Sequence, residues 1–472
     1  MQQLRLGLEA PKQDAAQPRR DESYRESLTR LLSEDLDFHD KNSSYASHNM
    51  HAFPAKFPPQ LPRKFIEGLT QAGEVVLDPM MGSGTATLEA FLAGRQAVGF
   101  DIDPLAILVS KVKSQPLDPI DVTRFGNRVL RNARQIVVKR KDEPEIGLEH
   151  WDKATRQFAD YWFAKETQIE LTALIHEINV IPDAHIRNFL RLVLSSTIIT
   201  KIGGVSLALD LAHTRPHRAR LVTDQAGEIL FDYDVSRISE RRRRFVSKTL
   251  RSPLKEFGKR LRRNSQSLLA PQTDDLPPRI SFGNAQDIAL HDASADLIVT
   301  SPPYASNAID YMRAHKFSLV WLGHPITELG DKRKEYIGGE AVRDFEFSGL
   351  PDRTTAVVAE VSKLDEKKGL VLHRYYSEMT GVLREMLRVL KPGKAAVVVV
   401  GSSTMRGLDT KTERCLAEIG QTLGFAVPAI GIRNLDRNRR MMPTGTQVDQ
   451  DSQIQQRMHE EYVIGFYKPD TQ

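Results

Sequence analysis

Val75-Val-Leu-Asp78-Pro-Met-Met-Gly82-Ser-Gly84-Thr85, followed by Ala97-Val-Gly-Phe-Asp101-Ile-Asp103-Pro104, reads as a strand, a glycine turn, a helix from Ala86 to Leu92 and a second strand that ends in an acid. Gly82 and Gly84 let the backbone come close to a ligand, because no Cβ stands in the way. The helix N-terminus behind them offers unpaired N–H groups. Asp101 comes about twenty residues further on, where dinucleotide folds place the acid that accepts from ribose hydroxyls. The glycine spacing is not G-x-G-x-x-G and no lysine follows as in a P-loop, so a dinucleotide and a nucleoside triphosphate both fit poorly. A nucleoside with a compact charged tail fits better, and S-adenosyl-L-methionine is such a molecule.

A second stretch carries the chemistry. Asp296-Leu-Ile-Val-Thr300 is an apolar strand that meets Ser301-Pro302-Pro303-Tyr304. The strand must stop there, because proline has no N–H for the ladder and fixes φ. A hydroxyl, free carbonyls and an aromatic face then gather at the carboxyl end of a strand, where open α/β sheets bind ligands. Such a pocket suits a planar ring bearing an amino group. Taken alone, the tetrapeptide is equally well a Pro-Pro turn with a packing tyrosine.

Together these residues resemble the DNA amino-methyltransferases. Asp78-Pro79-Met80-Met81-Gly82-Ser83-Gly84-Thr85 is similar to their cofactor loop, and Thr300-Ser-Pro-Pro-Tyr304 to their catalytic motif in the serine form typical of cytosine-N4 enzymes. His51-Ala-Phe53-Pro54-Ala-Lys56-Phe-Pro-Pro59 resembles the segment that packs on the methionine end of the cofactor. Phe282-Gly-Asn284-Ala285-Gln-Asp287 resembles the motif on the third strand, and Leu387-Arg-Val-Leu-Lys-Pro-Gly393 with Ala395-Ala-Val-Val-Val-Val-Gly401 resembles the helix, turn and fifth strand of such folds. The likeness spans residues 41 to 110 and 280 to 468. It implies S-adenosyl-L-methionine as cofactor, bound by Phe53, Pro54, Lys56, Asp78, Pro79, Met80, Gly82, Ser83, Gly84, Thr85, Asp101, Ile102, Asn284 and Ala285. It implies Ser301, Pro302, Pro303 and Tyr304 as the catalytic residues. Two positions depart from the family: Met80 stands where an aromatic residue is usual, and Asn284 where relatives carry Asp.

The resemblance implies a Rossmann-like α/β fold. Strands at 74–78, 97–101, 279–283, 295–300, 395–401, 428–433 and 461–467 would form a seven-stranded, mostly parallel sheet with one antiparallel edge, flanked by helices. The order of segments gives a polar, loose N-terminal arm at 1–40, a first part of the methyltransferase domain at 41–114, a mainly helical insertion at 115–278, and a second part at 279–472 with an excursion at 310–368. In the insertion, 158–178 and 186–199 have helical periodicity. The arrangement of motifs resembles the alpha class, except that the third-strand motif stays beside the catalytic one.

Base reading must come from outside the cofactor-binding sheet. The insertion is the first candidate, with Arg215 and Arg218 in a polar loop beside His213 and His217; the excursion at 310–368 is the second. The histidines read equally well as surface residues without a role. From Arg237 to Arg263 twelve Lys or Arg stand against two Glu, with apolar residues interspersed at helical spacing. Pro253 divides this run into two helices. Its basic face, Arg241, Arg242, Arg243 and Arg244 foremost, is either a solvated surface or a contact to DNA phosphates. Arg439 and Arg440, in a basic loop after the sixth strand, are further phosphate candidates.

Composition agrees with an intracellular nucleic-acid enzyme, and the resemblance implies duplex DNA as its partner. The 472 residues carry a net charge of +5. A single cysteine, Cys415, excludes a disulfide framework and a cysteine-rich zinc site, and no metal is called for. No run of apolar residues is long enough to span a membrane, and the N-terminus lacks a signal pattern; the expected location is the cytoplasm. Cytosine-C5 methylation needs an attacking thiolate, and Cys415 lies in an amphipathic helix pattern as a core residue. Between the two amines, the family resemblance of Ser301 implies cytosine N4 as the target, with adenine N6 as the alternative. An RNA guanine-amino methyltransferase or a non-catalytic DNA-binding subunit is more distant. A restriction endonuclease acting on the same site is the partner such enzymes imply.

Overall fold

The structure is a computed structural model that describes residues 22–54, 56–139, 151–200, 203–209, 211, 216–233, 239–269, 276–305, 310–401, 403–435 and 460–470. Seven strands form its central sheet: β1 (Val75–Asp78), β2 (Gln96–Asp101), β3 (Arg279–Phe282), β4 (Ala295–Thr300), β5 (Leu390–Gly401), β6 (Ile430–Asn434) and β7 (Glu460–Tyr467). Their order across the sheet is β6-β7-β5-β4-β1-β2-β3. The pairs β1–β2, β1–β4, β2–β3 and β4–β5 are parallel. β7 runs antiparallel to both β5 and β6.

The fold is therefore the expected Rossmann-like α/β sheet, with one correction. The antiparallel strand is not at the edge; β6 takes the edge and β7 lies inside it. The side chains explain this. β7 buries Val463, Ile464 and Phe466 completely, whereas β6 alternates buried and exposed residues down to an exposed Ile432, the pattern an outer strand tolerates.

Helices cover both faces. On one, α1 (Tyr24–Ser33), α2 (Gln60–Leu69) and α3 (Thr85–Leu92) bury Leu28, Leu31, Leu32, Phe65, Ile66 and Leu88 against Val76, Leu297, Val299, Val397, Val399 and Val463. α1 corrects the expectation of a loose arm up to residue 40. A capping box of Ser23 and Glu26 starts it, and its leucines seat over β6 and β7, where Gly431 and Gly465 leave room that a Cβ would fill. Residues 1–21 lie outside the described residues.

After β2 come α4 (Pro104–Ser114) and the insertion helices α5 (Pro119–Lys139), α6 (Lys153–Trp162), α7 (Lys165–Asn179), α8 (Ala184–Ile198), α9 (Glu240–Val246) and α10 (Pro253–Ser265), with a small sheet of Leu221–Thr223, Ile229–Asp232 and Ser247–Thr249. Pro253 opens α10, as its missing N–H allows. The expected helix over 158–178 is two helices: Phe163 takes an extended backbone between them and seats its ring against Phe317 and Trp321.

Phe317 and Trp321 belong to the excursion at 310–368, which is not one unit. Its first part, α11 (Tyr311–Leu319) and α12 (Ile326–Lys332), shares the core of the insertion and α4. Its last part, α13 (Asp352–Leu364), packs with α14 (Glu366–Val389) and α15 (Thr412–Leu423) on the remaining face of the sheet, over Ile298, Val398, Val400 and Ile464. The first excursion helix is thereby held directly beside the carboxyl ends of β1 and β2. Among the described residues no helix is long and apolar enough to cross a membrane.

Candidate active site

β1 and β4 are parallel neighbours with Leu77 opposite Ile298, so Asp78 and Thr300 emerge side by side at their carboxyl ends. Thr300 Oγ1 donates to Asp78 Oδ1 at 2.7 Å, and the Met80 N–H donates to the same oxygen. Burial pushes the Asp78 carboxyl up to about 7 against these two bonds.

The loop beyond Asp78 is fixed at nearly every residue. Met81 N–H bonds to the Phe100 carbonyl and Gly84 N–H to the Met81 carbonyl. Gly82 donates its N–H to Asp101 Oδ2 at 2.8 Å and accepts from Ser110 Oγ at 3.0 Å. The wholly buried Lys113 donates from Nζ to the Ser83 carbonyl at 2.6 Å. Gly84 is the N-cap of α3 at φ 69°, with no side chain capping the helix. A Cβ there would lie 2.6 Å from Ser110 Oγ, so the glycine is required twice over. The outcome is a rigid turn with an uncapped helix N-terminus behind it.

Asp101 closes the turn from β2. Its Oδ1 accepts the Asp103 N–H at 2.9 Å while Oδ2 holds Gly82, and each oxygen keeps a lone pair for a hydroxyl donor. Burial first, and then the neighbouring Asp103 carboxylate, push Asp101 up to about 7. Asp103 caps α4 through the Leu105 N–H and accepts from His315 Nδ1 at 2.5 Å. Burial works against the Asp103 anion, yet the His315 contacts hold its carboxyl below the ordinary value. His315 and Tyr311 lie one turn apart on α11, and the Phe53 ring packs against both, with centroids 4.8 and 5.9 Å away. Phe53 also faces Gly82. An aromatic wall thus stands opposite the turn. Ile102 and Met80 are partly buried at the same end of the sheet.

Other expected cofactor residues behave differently. Lys56 donates to the carbonyls of His48 and His51, so its ammonium shapes its own segment; burial lowers it to about 8. Pro54 is buried next to Phe53. His51 Nε2 pairs with Ser195 Oγ on α8 at 3.0 Å, and His48 Nε2 pairs with the buried Glu89 at 2.6 Å; burial holds both histidines well below their usual range. Asn284 is exposed after β3, with its Oδ1 accepting from the Gln286 N–H. Its Nδ2 donor is the group left for a ligand, which suits a ring nitrogen rather than an amino group. Ala285 is buried behind it.

In the target loop, Pro302 is buried, and Ser301, Pro303 and Tyr304 are partly so. The Tyr304 hydroxyl donates to Glu461 Oε1 at 2.9 Å, and Glu461 Oε2 is paired with Arg433 Nη1. Burial, then the Glu461 charge, push the phenol well above its ordinary value. Cys415 is fully buried, and burial raises its thiol, as befits a core residue.

Of the expected DNA-contacting residues, Arg218 and Arg243 have described side chains. Arg215, Arg439 and Arg440 lie outside the described residues, as does His213, and the side chains of Arg241, Arg242 and Arg244 are likewise undescribed. Arg243 is exposed on α9. Arg218 places its guanidinium over the rings of Tyr161 and Tyr233, 4.6 and 4.9 Å from their centroids. Among the described residues no cluster of His, Cys, Asp or Glu could hold a metal ion.

Sequence reasoning missed Thr300 as a donor, Lys113, Tyr311, His315, Glu461 and Arg433. Asp103 had a legible signal, the Asp-Pro helix start. The others had none, because their partners lie far away in sequence.

The residues present fit S-adenosyl-L-methionine. The uncapped α3 N-terminus suits its carboxylate, while the desolvated carboxyls of Asp78 and Asp101 suit its cationic and hydroxyl groups. Comparison with known proteins points the same way. A family model described as DNA methylase, for N6 and N4 enzymes, matches residues 9–111. The Type II methyltransferase M.MvaI of Kocuria varians is 25% identical over 407 residues, 81% of this chain and 83% of that protein. M.BsoBI of Geobacillus stearothermophilus is 21% identical over 444 residues, 84% and 82%. M.BglI of Bacillus subtilis is 45% identical over 94 residues, 20% and 27%. A solved SAM-dependent methyltransferase from Methanosarcina mazei matches at 10% identity over 86% of this chain and 98% of that one, with a TM-score of 0.30; at that distance nothing said of this chain rests on it. Residues 9–111 match the N6/N4 DNA methylase family, two Type II methyltransferases align over most of their length, and the cofactor turn and target loop are joined at Thr300 and Asp78, so this chain is similar to the N6/N4 DNA methylases.

Proposed function

We propose that this protein is a site-specific DNA methyltransferase that moves a methyl group from S-adenosyl-L-methionine to the exocyclic N4 of a cytosine flipped out of duplex DNA, as the modification part of a restriction-modification system. The observation that carries the reading is Ser301-Pro302-Pro303-Tyr304 following β4, locked beside the Asp78 turn through Thr300. The serine form of this motif favours N4.

When bound, the cofactor supplies an electrophilic methyl on a sulfonium. The amine of cytosine is a poor nucleophile because its lone pair is delocalised into the ring. Ser301 Oγ and the Pro302 carbonyl accept its two N–H bonds, which draws the nitrogen toward tetrahedral geometry and turns its lone pair outward. Their partial negative charge also opposes the positive charge that develops on nitrogen. With the cofactor bound, the residues of this loop would hold the amine in line with the sulfonium methyl, so that the new N–C bond would replace the S–C bond, the thioether being the leaving group and solvent taking the proton released from nitrogen. Most of the acceleration is positional. A stacked base cannot present this face, so it is flipped, and the Tyr304 ring stacks on it.

Duplex contact is assigned to the insertion and its basic run, with Arg243 on α9 as a phosphate contact. The description of the matching family, DNA methylase, supports DNA as substrate; a nuclease acting on the same site is part of the proposal. The deciding experiment is to express the chain in a methylation-deficient host and identify the modified base by mass spectrometry of digested DNA. N4-methylcytosine is expected; N6-methyladenine would transfer the same site to the other amine, and neither base would overturn the reading.

A further inference from the structure

The target loop is tied to a part of the sheet that carries no recognisable motif. Glu461 and Arg433 are register partners on β7 and β6, so their side chains share a face. Both are buried, at 8% and 7% exposure. Tyr304 comes from the loop after β4 and has to pass over β5 to reach them. At that point β5 contributes Gly401, the register partner of Glu461, which has no side chain to obstruct it.

The hydrogen bonds along this contact have a direction. A carboxylate only accepts, so the Tyr304 hydroxyl must donate to Glu461 Oε1. Arg433 pairs with the other oxygen of that carboxylate.

We propose that Glu461, held by Arg433, is a positioning residue for methyl transfer: by holding the Tyr304 hydroxyl it fixes the stacking ring in place beside Ser301. The inference rests on the function proposed above.

The test uses the purified full chain, tritiated S-adenosyl-L-methionine and unmethylated genomic DNA made by whole-genome amplification. Wild type is the control for the underlying function: if it labels no DNA, the functional reading fails and this one with it. Given labelling, Tyr304→Phe keeps the ring and Glu461→Gln keeps the shape. Each is expected to lower the single-turnover rate roughly 10- to 100-fold, the loss of a bond to a charged acceptor. The KM for DNA and the affinity for cofactor are expected to stay near wild type. The double variant should be no slower than the slower single one, because both changes break one chain.

Wild-type rates in either single variant, or losses that multiply in the double, would overturn the assignment. So would a loss confined to the KM for DNA. If Glu461→Gln does not fold because Arg433 is stranded, the joint change Glu461→Met with Arg433→Met removes both charges together. It is expected to fold and to show the Tyr304→Phe rate.

Discussion

Thr300 Oγ1 donates to Asp78 Oδ1 across 2.7 Å, and this bond joins the last residue of the catalytic strand to the first residue of the cofactor turn. Both groups are buried, at 0% and 2% exposure, so no water replaces the bond if it is lost. Thr300→Val, which preserves shape, should therefore destabilise the fold by about 1–3 kcal/mol, the cost of a buried acceptor losing its partner. It should weaken cofactor binding as well. Urea denaturation and calorimetry of the variant check both; unchanged values would mean that the two loops are positioned independently.

Ser301→Ala removes an acceptor for the target amine while leaving the cofactor turn untouched. Methyl transfer should fall by orders of magnitude, with S-adenosyl-L-methionine affinity close to wild type. Tyr304→Ala, which removes the stacking face and also leaves Glu461 with one partner fewer, should lower transfer at least as far and reduce stability too. Filter-bound counts from tritiated cofactor read the rate. A Ser301→Ala variant at wild-type rate would remove this motif from the chemistry.

The turn itself can be tested sterically and electrostatically. Gly84 is at φ 69°, and any Cβ there meets Ser110 Oγ at 2.6 Å, so Gly84→Val should abolish cofactor binding. Asp101→Ala loses the acceptor for ribose hydroxyls and also releases the Gly82 and Asp103 N–H groups. A charged hydrogen bond contributes about 1.5–3 kcal/mol, so affinity should drop roughly 10- to 100-fold. Calorimetry showing undiminished binding in both variants would move the cofactor elsewhere.

Burial pushes Asp78 and Asp101 up to about 7 in the ligand-free protein. An unfolded aspartate ionises near about 4. Between these values the folded chain holds protons that the unfolded chain has lost, so the ligand-free protein should lose stability as pH rises from about 4 to about 7. A cofactor that donates to these oxygens favours their ionised forms, and the sign reverses for binding. Affinity for S-adenosyl-L-methionine should rise up to tenfold per pH unit per group below pH 7 and level off above it. Isothermal titration from pH 5.5 to 8.5 would show this; a flat profile would mean that neither carboxyl changes its ionisation on binding.

The sheet was legible because its strands are written in continuous apolar runs, such as Val397 to Val400, and its turns in glycine and proline. Both chemical motifs were legible for the same reason: Asp78 to Thr85 and Thr300 to Tyr304 are each contiguous. What escaped the sequence depends on pairing across long separations. Glu461 lies 157 residues from Tyr304, and His315 lies 212 from Asp103. Nothing local marks either acid or histidine as a partner. The packing of α1 is hard to read because its charged residues face outward and only three leucines, Leu28, Leu31 and Leu32, signal it. β7 was placed at the edge because an antiparallel direction says nothing about whether another strand lies beyond it.

The basic run remains the most direct route to the DNA surface. α9 carries Arg241, Arg242, Arg243 and Arg244 between Glu240 and the exposed Phe245, and the small sheet leads from it to α10, which adds Lys259 and Arg263. If this segment follows phosphates, replacing the four arginines by glutamine should weaken binding to every sequence alike. The slope of log affinity against log salt should flatten by about 0.9 for each phosphate that is no longer neutralised. Methylation at the correct site should stay specific once DNA is bound, because phosphate contacts position a protein without reading bases. Fluorescence anisotropy on unrelated duplexes across a salt series measures the slope. An unchanged slope and affinity would make the run a solvated face, and would shift the phosphate contacts to the basic residues Arg437, Arg439 and Arg440 beyond β6.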